Sequence, residues 1–194
     1  MLYTVECDFA ENVMYNINMA FSDPKKNIKQ FGLYEGQVVA DLGAGVGAYS
    51  VAAGKEVGES GRVYAVEVQK ELLANIRDNA RREGVFNVEV IWGDIERSGK
   101  TKIRDGIVDA VIVSNVLFQV EDKAGFIDEI KRILKPGGRV LVVDWEDSFN
   151  GTGPSQDSVF SYDEARSLFE DNGFSFNKNI SAGDHHYGFV VLKQ

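Results

Sequence analysis

Apolar positions along this chain fall into short continuous runs separated by stretches of helical spacing. Runs at 37–42, 62–67, 88–92, 108–114 and 139–144 read as strands. Two of them, VDAVIVS and RVLVVDW, are apolar at nearly every position, which marks strands buried on both faces. Segments 47–57, 69–83 and 122–134 carry the helical period between them. This alternation predicts a doubly wound, mostly parallel sheet with helices on both faces.

The ends of the chain complete the pattern. Asp8 is placed to cap a helix through Ala20, with Phe9, Val13, Ile17 and Ala20 as its apolar stripe. Ser22 or Asp23 followed by Pro24 starts a second helix, and Gly32 ends it. Pro136-Gly137-Gly138 stops the 122–134 helix and turns the chain into the next strand. After a polar Gly/Ser loop at 148–161, Ser161 and Glu164 form a capping box for a helix reaching Asn172-Gly173. Two final strands, about 174–180 and 186–192, are joined too closely for a crossover, so the last strand is expected to be antiparallel. The sheet then has seven strands. The expected organisation is one domain over 1–194: a short N-terminal helical cap at 1–31, a core at 32–145, and a C-terminal helix and strand pair at 146–194.

Composition narrows the partners. The 194 residues suit one sizeable core. A formal net charge of −9 disfavours broad contact with a polyphosphate backbone, so nucleic acid is not an expected partner. The basic groups Lys25, Lys26, Lys29, Arg77, Arg81 and Arg82 read as solvated helix faces. No apolar run is long enough to span a bilayer, and no secretory signal is expected at the N-terminus. The single cysteine, Cys7, excludes an internal disulfide and a cysteine-built zinc site, and fits a reducing cytoplasm.

Candidate chemistry concentrates at strand ends. The run VVADLGAGVG gives a strand, an acid and a glycine turn opening a helix. Gly43, Gly45 and Gly47, with Ala44 among them, let backbone amides approach a ligand at a helix N-terminus. Their spacing departs from the dinucleotide fingerprint G-x-G-x-x-G. Asp41 would repel a pyrophosphate and attract an ammonium, which tilts the reading away from NAD and FAD. Glu67, twenty positions after Gly47, ends the second strand and is suited to accepting from both hydroxyls of a ribose. Asp94, after Gly93, ends the third and is suited to an exocyclic adenine amine, with Val68 and Ile95 placed to sandwich the base.

These residues resemble the class I S-adenosylmethionine-dependent methyltransferases. DLGAGVG is similar to that family's first motif, VYAVEV with Glu67 to its second, and WGDIE with Asp94 to its third. The stretch DAVIVSNVLFQVEDKAGFIDEIKRILKPGGRVLVVDW is similar to the fourth and fifth, so the likeness covers about residues 25–145. VLFQVED followed by RILKPGG resembles the small-molecule branch, including ubiquinone/menaquinone-biosynthesis-type and arsenite-type enzymes. The arsenite type needs several cysteines, and this chain has one.

The resemblance implies a Rossmann-like fold, S-adenosylmethionine as cofactor and a small-molecule methyl acceptor. It assigns Asp41, Gly43, Ala44, Gly45 and Gly47 to the methionine part, and Glu67 to the ribose. Val68, Gly93, Asp94 and Ile95 go to the adenine. Ser114, Asn115 and Val116, ending the fourth strand, would face the transferred methyl. SNVLF is not the N-P-P-Y type sequence of nucleobase amino-methyltransferases.

A catalytic base is not legible. His185 and His186 are the only histidines, and as neighbours entering a strand they should point to opposite faces, which makes a metal site from the pair improbable. They remain candidates for a base, as does Tyr15. Phe118 and Trp145, at the carboxyl ends of their strands, are candidates to line an acceptor pocket, while Tyr3, Tyr15 and Phe21 belong to the expected cap. Cys7 reads as a small buried residue. Two alternatives stay open. One is an RNA or protein methyltransferase, because residues 57–95 also resemble tRNA-adenine and protein-isoaspartate methyltransferases. The other is a cofactor-binding protein without catalysis.

Overall fold

The computed structural model describes residues 22–149 and 151–194. The expected helix at 8–20, and with it Tyr3, Cys7, Tyr15 and Phe21, lies outside the described residues. The first described helix, α1 (Pro24–Phe31), starts at Asp23, whose carboxylate accepts the N–H groups of Lys25 and Lys26 at 3.0 and 3.3 Å. It ends at Gly32 in the left-handed conformation, as the Pro-start and Gly-stop asymmetry predicts.

The order that follows is β1 (Val38–Leu42), α2 (Ala48–Val57), β2 (Arg62–Glu67), α3 (Leu72–Arg82), β3 (Val88–Trp92), β4 (Val108–Ser114), α4 (Lys123–Ile133) and β5 (Leu134–Trp145). A short 3-10 turn, α5 (Tyr162–Glu170), β6 (Phe174–Asn179) and β7 (His186–Lys193) complete it. The Ser161–Glu164 capping box is present at the start of α5.

The seven strands form one sheet in the order β3-β2-β1-β4-β5-β7-β6. β1 to β5 pair in parallel, and β7 runs antiparallel to both β5 and β6. The order reverses between β1 and β4, which creates a crevice at their carboxyl ends. This is the Rossmann-like, mostly parallel arrangement with an antiparallel last strand that the pattern predicts.

Alternate residues of each central strand serve two cores. Val39, Ala110, Ile112, Leu141 and Val143 face Ile28 and Phe31 of α1 and Ala52, Ala53 and Val57 of α2. Ala40, Leu42, Val111, Val113, Val140 and Val142 face Phe126, Ile127, Ile130 and Ile133 of α4 and Phe169 of α5. Full burial on both sides accounts for the unbroken apolar runs in β4 and β5.

The largest difference from an expected boundary is in β5. β5 begins at Leu134 and not at 139. Leu134 already pairs with Val108, and the next paired residues are Ala110 and Arg139, so Pro136-Gly137-Gly138 is a bulge within the strand. Proline removes a ladder donor there and Gly137 sits at φ +72°, which lets the chain bow out and rejoin. Among the described residues no helix is long and apolar enough to cross a membrane.

Candidate cofactor-binding site

A cleft of about 640 Å³ opens at the carboxyl ends of β1, β2 and β4. A second groove of the same volume lies at the opposite end of the sheet, around Gly54, Val85, Phe86 and Asn87. Open α/β sheets bind ligands outside the carboxyl ends of their strands, and only the first cleft gathers the acids and glycines singled out above.

The floor is the turn after β1. Gly43 and Ala44 both donate backbone N–H bonds to the Val66 carbonyl at 3.0 Å, which pins the turn to β2. Gly43 has φ +80°, and a Cβ there would stand 2.8 Å from Val116 Cγ2. Gly47 has φ +83° and lies against Ile76 of α3, again with no room for a Cβ. The first glycine therefore brings β1 against the loop after β4, and the third brings α2 against α3. Gly45, between them, leaves its face open to the cleft.

Each acid is anchored differently. Asp41 is 1% exposed and accepts the Ser50 hydroxyl at 2.5 Å from the first turn of α2. Burial pushes its carboxyl up to about 6, against the lowering pull of Ser50 and with a further push from the negative charge of Glu67. Glu67 Oε2 accepts the Gly45 N–H at 2.8 Å, and Oε1 accepts the Gln69 N–H at 2.8 Å. Asp94 is more open. It accepts the Glu96 N–H at 2.9 Å and stands 3.4 Å from Arg97 Nε, an exposed pair of small energetic weight.

The cleft mixes apolar and polar lining. Val68, Leu72, Ile95 and Val120 supply the apolar part. Ser22, Tyr49, Ser114 and Asn115 add polar groups, with Tyr49 close enough to Asp41 to feel its charge. Asp144, at the end of β5, holds the loop that carries this second wall. Its Oδ2 accepts the Val116 and Leu117 N–H groups at 3.1 and 2.8 Å, and its Oδ1 accepts that of Trp145 at 2.8 Å. Burial again dominates and pushes this carboxyl up to about 6. The bonds fix a sharp turn in which Asn115 takes φ +54°.

Of the residues selected from sequence, Asp41, Gly43, Ala44, Gly45, Glu67, Val68, Asp94, Ile95, Ser114, Asn115 and Val116 line this one cleft. Gly47 stands behind it against α3, and Gly93 packs against Lys100, Thr101 and Val66. Phe118, Trp145, His185 and His186 are not in its wall. The Trp145 ring is covered by Gly153 and lies 4.3 Å from the His186 ring. His185 stacks on Phe149 at 4.1 Å and its Nδ1 meets Asp147 at 2.8 Å. His186 is buried, its Nδ1–H donates to the Asp184 carbonyl at 2.9 Å, and burial lowers its basicity. The two imidazoles thus have separate partners. Among the described residues no three His, Cys, Asp or Glu side chains are grouped to hold a metal ion.

Sequence reading missed Tyr49 and Asp144. Asp144 carried a usable signal, since an acid closing an apolar strand is the feature that singled out Asp41 and Glu67. Tyr49 had only its place two residues after Gly47.

The fold and the likeness to known proteins define a protein of the class I methyltransferase type. The match to the family described as "Methyltransferase domain" spans residues 33–179, and the chain belongs to that family of S-adenosylmethionine-dependent methyltransferases. It is 35% identical over 109 residues to an arsenite methyltransferase of Halobacterium salinarum, covering 56% of this chain and 27% of that protein. It is 34% identical over 115 residues to the ubiquinone/menaquinone biosynthesis C-methyltransferase UbiE of Haemophilus ducreyi, covering 59% and 43%. The chain thus spans less than half the length of these curated relatives. Among solved structures it is similar to a SAM-dependent methyltransferase from Aquifex aeolicus, with a TM-score of 0.82 and 28% identity over 97% of this chain and all of that one.

Proposed function

We propose that this chain is a single methyltransferase domain that uses S-adenosylmethionine to methylate a small molecule by direct in-line displacement. The observation that carries this reading is the convergence of Asp41, Glu67 and Asp94, from three successive strand ends, on one cleft with a glycine floor. The residues suit the donor. Gly43 and Gly45 leave the floor bare of side chains. Asp41 offers a buried charge for an ammonium, Glu67 offers two held oxygens to a ribose, and Asp94 with Val68 and Ile95 suits an adenine. When bound, the donor supplies a methyl group on a positively charged sulfur. The chain's own work is then to orient and to exclude water. The turn tied to Val66 fixes the floor, Asp144 fixes the wall of Ser114, Asn115 and Val116, and Leu72 and Val120 add apolar cover.

A small acceptor is favoured by the likeness to UbiE and by the net charge of −9, which disfavours a nucleic-acid acceptor. The single cysteine supports a cytoplasmic setting, and it disfavours arsenite as acceptor, because arsenic(III) calls for several thiolates. The test is transfer of label from methyl-labelled donor to a panel of quinol-like phenols, thiols, amines and bulk tRNA. Labelling of a small phenol, thiol or amine is the expected result. Labelling of tRNA alone contradicts the proposed acceptor class.

A further inference from the structure

Four polar side chains meet at the Asp41 end of the cleft, and the cofactor assignments use only one of them. Asn27 of α1 is 1% exposed, and its Nδ2 lies 2.8 Å from Tyr49 Oη, 2.9 Å from Ser22 Oγ and 3.2 Å from the Ala182 carbonyl. A carbonyl only accepts, so Ala182 fixes the amide with its NH2 toward this cluster. Its two N–H groups face three oxygens, so one of them is shared, and both hydroxyl oxygens accept from Asn27. Ser22 Oγ and Tyr49 Oη also bond each other at 2.5 Å, with either as donor.

Counting protons and lone pairs gives the same surplus either way. If Tyr49 donates to Ser22, the Ser22 proton and one Tyr49 lone pair are unspent. If Ser22 donates, the Tyr49 proton and one Ser22 lone pair are unspent. Ser114, at the end of β4, lines the cleft on the other side of the Tyr49 hydroxyl. Burial weakens the acidity of that phenol, so it acts as a neutral hydroxyl and not as a base. Tyr49 is 7% exposed, and both it and Ser22 line the cleft. A preorganised hydroxyl pair with one donor and one acceptor unspent suits a ligand group that bears a hydrogen.

We propose that the Tyr49–Ser22 hydroxyl pair, held by Asn27, stands beside the transferred methyl and hydrogen-bonds the attacking group of the acceptor, which is a neutral hydroxyl- or amine-bearing small molecule. The inference rests on the cofactor reading, because Asp41 and Ser114 mark that end of the cleft only if the methionine part lies there. The surrounding acids Asp41, Glu67 and Asp144 disfavour an anionic acceptor. Tyr49 is thereby a specificity-determining residue, and α1 contributes to acceptor choice through Asn27.

Two ligands of known structure separate the claims. S-adenosylhomocysteine lacks the methyl, whereas sinefungin carries an amine-bearing carbon in place of the methyl-bearing sulfur and so projects N–H donors where the methyl stands. Calorimetry on the wild type and Tyr49→Phe, which keeps the ring and its packing, reads the difference. The expected result is S-adenosylhomocysteine affinity unchanged within about twofold and sinefungin affinity weakened about tenfold, the scale of one charge-assisted hydrogen bond. Asn27→Leu, which frees both hydroxyls from their anchor, should weaken sinefungin in the same selective way. A sinefungin-to-S-adenosylhomocysteine ratio unchanged in Tyr49→Phe overturns the inference and leaves the cofactor reading standing. Binding of neither ligand by the wild type overturns the cofactor reading itself.

Discussion

Glu67 Oε2 accepts the backbone N–H of Gly45 at 2.8 Å, so the acid ending β2 is bonded to the glycine turn that follows β1. The partner oxygen is held by the Gln69 N–H. Each oxygen keeps a second lone pair, and the two oxygens are fixed before any ligand arrives. Preorganisation of this kind lowers the ordering cost of binding.

Replacing Glu67 by alanine removes both acceptor oxygens from the cleft. The expected loss in S-adenosylhomocysteine affinity is about 1–3 kcal/mol, the range for charge-assisted hydrogen bonds. Calorimetry measures it directly, and an affinity equal to wild type removes the ribose role from this residue.

Gly43→Ala tests the close approach between β1 and the loop after β4. The new methyl meets Val116 Cγ2 at 2.8 Å while the backbone stays at φ +80°. Strain and overpacking together predict a destabilisation of about 2–4 kcal/mol, read by urea unfolding. The mutation should also weaken cofactor binding by displacing Val116. A stability within about 0.5 kcal/mol of wild type would mean that the loop yields freely, contrary to its anchoring by Asp144.

Much of this site was legible because strands end predictably. Continuous apolar runs placed the ends of β1 and β2, and an acid there stands out against such a run. Tyr49 was not legible, since its role depends on Asn27 of α1 and on Ser22 just before that helix, both more than twenty residues earlier. Phe118 and Trp145 were chosen by the same strand-end logic as Asp41 but fall outside the cleft wall. The switch between β1 and β4 centres the crevice there, while Trp145 pairs with His186 of β7, one strand farther out. The bulge at Pro136-Gly138 was read as a turn because its pairing with β4 is not written in local sequence.

Asp41 and Asp144 predict a pH signature. Both carboxyls are raised to about 6 in the folded protein. Between about pH 4 and 6 the folded chain therefore holds more protons than the unfolded one, so stability falls as pH rises through that window and levels off above it. Unfolding free energies measured from pH 4 to 7 check the sign in these two residues by comparison with Asp41→Asn and Asp144→Asn, which should each flatten the decline.

Cofactor binding should run the other way. The charged form of Asp41 is the one suited to an ammonium, so affinity should fall as pH drops through about 6, by up to tenfold per unit below it. Asp41→Asn should bind more weakly at pH 7 and lose this dependence. An identical pH profile in wild type and variant would move the ammonium contact to another group.

Asp144→Ala leaves the Val116 and Leu117 N–H groups without their acceptor. Unpaired buried donors predict a loss of about 2–4 kcal/mol in stability and a looser wall beside the cleft. Amide hydrogen exchange should rise at Val116 and Leu117 and stay unchanged at Ala53 and Val57 of α2, which pack in the core on the other face of the sheet. Unchanged protection at Val116 and Leu117 would show the turn to be held without this carboxylate.

The most direct measurement is calorimetric titration of the intact chain with S-adenosylhomocysteine at pH 7.5. The account predicts saturable binding at one site per chain, weakened in Asp41→Asn and in Glu67→Ala alike. No heat up to millimolar ligand, or binding indifferent to both substitutions, would contradict it.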